Sequence, residues 1–240
     1  TCPRPQSGSA GFRTSIPGSN KEFILSDKAR STLSDSVPQI DSLKDTASLL
    51  ASRICHDLIS PIGAISNGME LLVMSGLPPS PELTLIEESI ANANARVRLF
   101  RLAFGSATGG QRMARGDIVK LLGDCFGTGR VQVLWEPTSD VSRVEAKIAL
   151  LAVLCLEVTL PAGGKIVLRC DRGQWQMQAY GSKIRFEPEA WSLLNHNDAV
   201  LGDLMPSHVQ FVLLRDALAQ LGKTALAGHS DSAVSLRYDV

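Results

Sequence analysis

Residues 41–73 read DSLKDTASLLASRICHDLISPIGAISNGMELLV. Their apolar members Ala47, Leu50, Ile54, Leu58, Ile62, Ile65, Met69 and Leu72 recur at gaps of three or four, which sets them on one stripe of a long α-helix. Gly76-Leu77-Pro78-Pro79-Ser80-Pro81 ends that helix and turns the chain. Ser80 is placed to cap a second helix, with Pro81 at its first position. This second helix carries Leu83, Ile86, Ile90, Ala93, Val97, Phe100 and Phe104, an alternating three–four repeat that marks a bundle seam. Two helices joined by a short turn pack antiparallel, but a lone pair leaves stripes of this width uncovered. A second copy of the chain would complete a four-helix bundle, so a homodimer is expected.

The rest of the chain is organised around this hairpin. Residues 1–40 are rich in Ser, Gly and Pro without apolar periodicity, and are read as a mobile extension. The hairpin occupies 41–107, and Gly105 to Gly110 (GSATGG) reads as a hinge. From 111 to 240 helical and strand patterns alternate. Helices are expected at Asp117–Phe126, Val144–Leu160, Glu187–Leu194 and Val209–Leu221. Strands are expected at Arg130–Trp135, Lys165–Cys170, Trp175–Tyr180, Thr224–Ala227 and Ala233–Tyr238, with a hairpin around Asp171-Arg172-Gly173. The fold class is α+β: a helical hairpin forming a dimeric four-helix bundle, then an α/β sandwich with a mostly antiparallel sheet.

Composition narrows the function. Lys and Arg total 24 against 24 Asp and Glu, so net charge gives no reason to expect nucleic acid or an anionic membrane as partner. The longest unbroken apolar run, Ile148 to Leu156, falls short of the ~20 residues that span a bilayer. Cys2, Cys55, Cys125, Cys155 and Cys170 are odd in number and include no CxxC pair, which argues against a disulfide framework or a zinc site. A reduced, cytoplasmic protein is expected. The N-terminus has no signal-peptide core, and because the chain begins at Thr1 its translational start is expected to lie upstream.

One constellation stands apart on the first helix: His56-Asp57-Leu58-Ile59-Ser60-Pro61-Ile62. At about 100° per residue, His56 lies nearly opposite the Ile54/Leu58 stripe and shares its face with Ser52, Ser60, Gly63 and Asn67. Those neighbours are small, so the imidazole is open to approach by another protein. Pro61 has no N–H and leaves the Asp57 carbonyl without its helical partner, which predicts a kink one turn below the histidine. A neutral imidazole is a competent nucleophile at physiological pH. A solvated surface histidine is the plain alternative.

His-acid-Leu-x-x-Pro-aliphatic, early in a helical hairpin that precedes an α/β domain, resembles the phospho-acceptor box of sensor histidine kinases. The longer run from Ser52 to Leu72, with Phe100-Arg101-Leu102-Ala103-Phe104-Gly105, is similar to the ChpT family of histidine phosphotransferases. The resemblance extends over roughly residues 43 to 240. It implies a dimeric phosphorelay intermediate. His56 would take a phosphoryl group from the receiver domain of a hybrid histidine kinase and hand it to response regulators. Asp57 would act as acid, base or orienting group, although residues i and i+1 on a helix point about 100° apart. Arg53, one turn before His56, would either neutralise phosphate oxygens or stand as a solvated charge. Ser60 and Pro61 complete the supporting set. No cofactor of the chain's own is implied, and the Mg²⁺ that such transfers need is expected on the partner receiver.

In a histidine kinase the second domain holds ATP through an Asn-bearing helix and Gly-rich boxes. Here the matching stretch Ala146–Leu160 has no Asn, and Glu157 is its only acid. An Asp-x-Gly-x-Gly is expected after Gln176–Ala179, but the chain reads Tyr180-Gly181-Ser182-Lys183. The domain is therefore expected to have the ATPase-like fold without its nucleotide site. Gly127-Thr128-Gly129-Arg130 and Gly163-Gly164-Lys165 lack the residues of a phosphate loop and read as turns. His196, His208 and His229 have no ligand-spaced companions and are read as surface residues. Arg96, Arg98 and Arg101 on the second helix are read as a solvated basic face, with contact to an acidic receiver surface as the alternative. A non-catalytic dimeric adaptor and an intact kinase remain the competing functional readings.

Overall fold

The computed structural model describes residues 37–107, 110–194 and 205–239. The expected extension therefore lies almost wholly outside the described residues, as do Cys2 and His196. Residues Leu43–Val240 make one unit.

Helix α1 runs Val37–Met74 and continues through Pro61; α2 runs Pro81–Phe104. Ser80 caps α2 as expected, its Oγ accepting from the Leu83 N–H at 3.3 Å. The two helices meet along Cys55, Ile59, Ile62, Ser66 and Met69 of α1, with Cys55 and Met69 buried. The stripe picked out by periodicity divides: Ile62 and Met69 lie in this seam, while its other described members remain open. Leu50, Ile54, Leu58, Ile65 and Leu72 are 46–59% exposed in the single chain.

The lower half of α2 belongs to a second core. Ala95, Leu99 and Ala103 are buried in the same cluster as α3 (Arg115–Phe126) and α4 (Arg143–Glu157). A two-stranded ladder, β1 (Arg112–Met113) with β3 (Val141–Ser142), sits at the start of α4. A Ser142/Glu145 capping box starts the helix itself, closing two otherwise unpaired N–H groups.

The main sheet contains β2 (Val131–Trp135), β4 (Gly164–Asp171), β5 (Gln174–Tyr180), β7 (Ala233–Asp239) and β6 (Leu226–His229), in that spatial order. Only β2 and β4 are parallel, and α4 makes the crossover that a parallel pair requires. Arg172 and Gly173 both take positive φ in the two-residue turn between β4 and β5, the geometry that matches hairpin twist. On β5 the residues alternate, with Trp175, Met177 and Ala179 buried against the helices and Gln174 and Gln176 exposed. Helices α5 (Pro188–Ser192) and α6 (Val209–Ala219) complete the domain, α6 packing on α4. In α4 every residue from Ile148 to Leu156 is buried.

Two sequence expectations, the solvated basic face and the surface His208, are corrected here, and the expected hinge is fastened at its first residue: Arg143 Nη2 donates to the Leu102 carbonyl and Lys147 Nζ to the Gly105 carbonyl, each at 2.8 Å. Thr108 and Gly109 of the expected hinge lie outside the described residues. The basic face on α2 is largely spent on the neighbouring helices, because Arg96 pairs with Glu157 and Arg98 with Asp124 at 3.6 Å; Arg101 is exposed. His208 is not a surface residue. Its side chain is 17% exposed, and its Nε2 lies 2.9 Å from Glu187 Oε2. His229, though exposed, stacks on Phe186 with ring centroids 4.0 Å apart.

Candidate functional site

The site is built at the middle of α1. The Cys55 side chain points into the seam with α2, so the next residue along the helix is carried outward. His56 is 78% exposed. Ser60, one turn on, and Asn67 are exposed on the same side, and Gly63 between them would leave even an added Cβ in open space. Pro61 is also exposed. The face around the imidazole is thus clear of bulky side chains, as the sequence indicated.

The electrostatics come from two neighbours. Asp57 Oδ1 lies 3.3 Å from His56 Nδ1, and Arg53 Nε donates to Asp57 Oδ2 at 2.9 Å. One carboxylate therefore bridges the residue before it and the residue one turn earlier. Spacing alone placed Asp57 and His56 about 100° apart; the bridging carboxylate closes that gap without displacing the helix. The hydrogen bond from His56, followed by that from Arg53, holds the Asp57 carboxyl below the usual carboxylate range. An ionised acceptor at Nδ1 favours the tautomer that keeps its proton there. The lone pair is then on Nε2, the ring nitrogen farther from the backbone.

Cys55, the other nucleophilic type beside His56, is chemically quiet. Burial pushes its thiol pKa up, with Arg101 opposing weakly, so little thiolate forms at neutral pH. A groove of about 420 Å³ opens farther down the hairpin, bordered by Ser66, Glu70, Glu87, Asn94, Arg98 and Asp124. It contains none of the residues around His56. Among the described residues, no three His, Cys, Asp or Glu side chains converge as a metal site. No helix among them is long and apolar enough to cross a membrane.

The sequence singled out Arg53, His56, Asp57, Ser60 and Pro61, and the structure adds the Arg53–Asp57–His56 chain of contacts. The signal was present as the i, i+4 spacing of Arg53 and Asp57, which brings opposite charges together on a helix face.

A family model described as the histidine phosphotransferase C-terminal domain matches residues 115–232. Protein phosphotransferase ChpT of Brucella abortus (strain 2308) is 36% identical over 179 residues, covering 72% of this chain and 84% of the relative. A solved structure of a bacterial phosphotransferase superposes with a TM-score of 0.58 at 26% identity, over 80% of this chain and 94% of that one.

Proposed function

The chain belongs to the ChpT family of histidine phosphotransferases, and from that premise we propose that His56 carries the phosphoryl group of a two-component phosphorelay. It takes the group from a receiver-domain aspartate and passes it to the aspartate of a response regulator. The observation that carries this reading is the exposed imidazole, with Nδ1 against an ionised carboxylate.

The chemistry asks little more of this chain. In-line phosphoryl transfer depends on positioning and on spreading the charge of the transferring group. The Mg²⁺ that spreads it belongs to the partner receiver. His56 supplies the nucleophile, Asp57 keeps the Nδ1 proton, and the small residues around them let a receiver approach.

Two further elements complete the proposal. The open Ile54, Leu58 and Ile65 stripe is covered by a second copy of the chain, giving a homodimer. The α/β domain works without ATP, because α4 turns only buried side chains to its surroundings between Ile148 and Leu156, and its terminal Glu157 is engaged by Arg96. Transfer takes place in the cytoplasm, where receiver domains of hybrid kinases and response regulators meet the protein.

The test is labelling of wild type and His56→Ala by a phosphorylated receiver. Wild type is expected to take the label and His56→Ala to take none while remaining folded. Receiver binding without any labelling of wild type would replace this reading with that of a docking adaptor.

A further inference from the structure

We propose that Arg53 is a positioning residue for the transfer: it holds the Asp57 carboxylate where Oδ1 meets the His56 Nδ1 proton, and so keeps Nε2 the nucleophilic nitrogen. This inference rests on the reading of His56 as phospho-acceptor.

The geometry divides the carboxylate between two partners. Oδ2 takes the Arg53 Nε–H at 2.9 Å and Oδ1 faces His56 Nδ1 at 3.3 Å. Asp57 is half exposed, and adjacent residues on a helix diverge, so an unrestrained carboxylate would be spread over its staggered rotamers. Arg53 grips the far oxygen and removes that freedom from the side away from the reaction. The Nε–H is thereby committed to Asp57 rather than to an incoming phosphate.

In the step itself, the Nε2 lone pair attacks the phosphorus of the receiver's aspartyl phosphate. The bond from phosphorus to the aspartyl oxygen breaks, and its electron pair stays on the receiver carboxylate. The ring becomes cationic, with the Nδ1 proton retained against Asp57. No proton is released and nothing is oxidised. Arg53 touches neither phosphorus nor the leaving oxygen.

A double-mutant cycle on the full chain tests this, using Arg53→Ala, Asp57→Asn and the combined variant, with transfer followed over a range of phosphorylated-receiver concentrations. An exposed pair of this kind biases a conformation by about two- to fivefold. Arg53→Ala is therefore expected to lower the maximal transfer rate by about that factor, leaving the half-saturating receiver concentration unchanged. In the Asp57→Asn background the same change should have no further effect. Single-variant factors that multiply in the combined variant would overturn the proposal. So would a raised half-saturating concentration with the maximal rate intact, since that marks direct contact with the receiver or its phosphate. The ¹⁵N shifts of the His56 ring give a second readout. The proton should sit on Nδ1 in wild type, move toward Nε2 in Arg53→Ala and return in part in Arg53→Lys; an unchanged tautomer in Arg53→Ala contradicts the proposal. Full labelling of His56→Ala would instead sink the phospho-acceptor reading, an outcome distinct from every result of the cycle.

Discussion

Arg96 of α2 and Glu157 of α4 meet in a two-point ion pair, Nη1 donating to Oε2 at 3.0 Å and Nη2 to Oε1 at 2.5 Å. The guanidinium also lies over the Phe126 ring, 4.8 Å from its centroid. One side chain of the hairpin thereby joins both α3 and α4. The side chains are 30% and 23% exposed, between the surface and buried limits for ion pairs. Glu157→Ala, which leaves the guanidinium alone, is expected to lower stability by about 1–3 kcal/mol. Arg96→Met with Glu157→Leu should lose less, because neither charge is then stranded. Thermal unfolding of the three proteins checks the order, and a double variant less stable than Glu157→Ala would refute it.

The homodimer prediction follows from which apolar residues are open. Val97 is buried and Phe100 packs against the α/β core, so charges there would damage the chain's own fold. Ile54, Leu58 and Ile65 are about half exposed and lie outside that core. Replacing Ile54 and Leu58 with Glu is expected to yield a folded monomer. Wild type should scatter light as a dimer at micromolar concentration, and a monomeric wild type would rule the bundle out.

Asp57 also fixes a pH dependence. Its carboxyl is held below the ordinary value near 3.9, so the interaction with His56 is present above that value and lost only as pH falls through the lower folded one. Between about pH 6 and 9 the carboxylate stays ionised. Asp57→Asn should then slow transfer by one constant factor across that range, because the amide no longer holds the ring in the tautomer with its proton on Nδ1. A ratio of wild-type to variant rates that climbs with pH would place the Asp57 titration inside the range and contradict the assignment.

Local signals made much of this fold legible. Ser80 and Pro81 announce α2, and alternation announces β5, because caps and strand faces are set by nearest neighbours. What stayed hidden depends on distant partners. GSATGG has the composition of a hinge, but Lys147, 42 residues from Gly105, fastens its first residue. His208 has no companion at ligand spacing, yet Glu187, 21 residues away, binds it in the fold. Apolar periodicity gathered Ile54, Leu58, Ile62, Ile65 and Met69 into one stripe, whereas the seam with α2 takes only Ile62 and Met69 of these, together with Cys55, Ile59 and Ser66. A helix with two adjacent faces of this kind does not say in sequence which one its own chain will cover. The β1–β3 ladder is too short to leave any alternation. At the site, residue identity was legible and contact was not, since side-chain rotamers decide whether Asp57 reaches His56.

Nucleotide binding offers a separate check. With no polar side chain presented by α4 from Ile148 to Leu156 and Glu157 paired with Arg96, titration of ATP and Mg²⁺ into the protein is expected to give only the heat of dilution. Micromolar affinity would restore the kinase reading.

The position of the phosphoryl group after transfer is read most directly by tandem mass spectrometry of the wild-type protein labelled by a phosphorylated receiver, with acid and base stability measured on the same sample. A single phosphate on His56, lost in acid and retained in base as an N-phosphoryl bond requires, is the expected result. Phosphate on any other residue, or His56→Ala labelled at the wild-type rate, would contradict it.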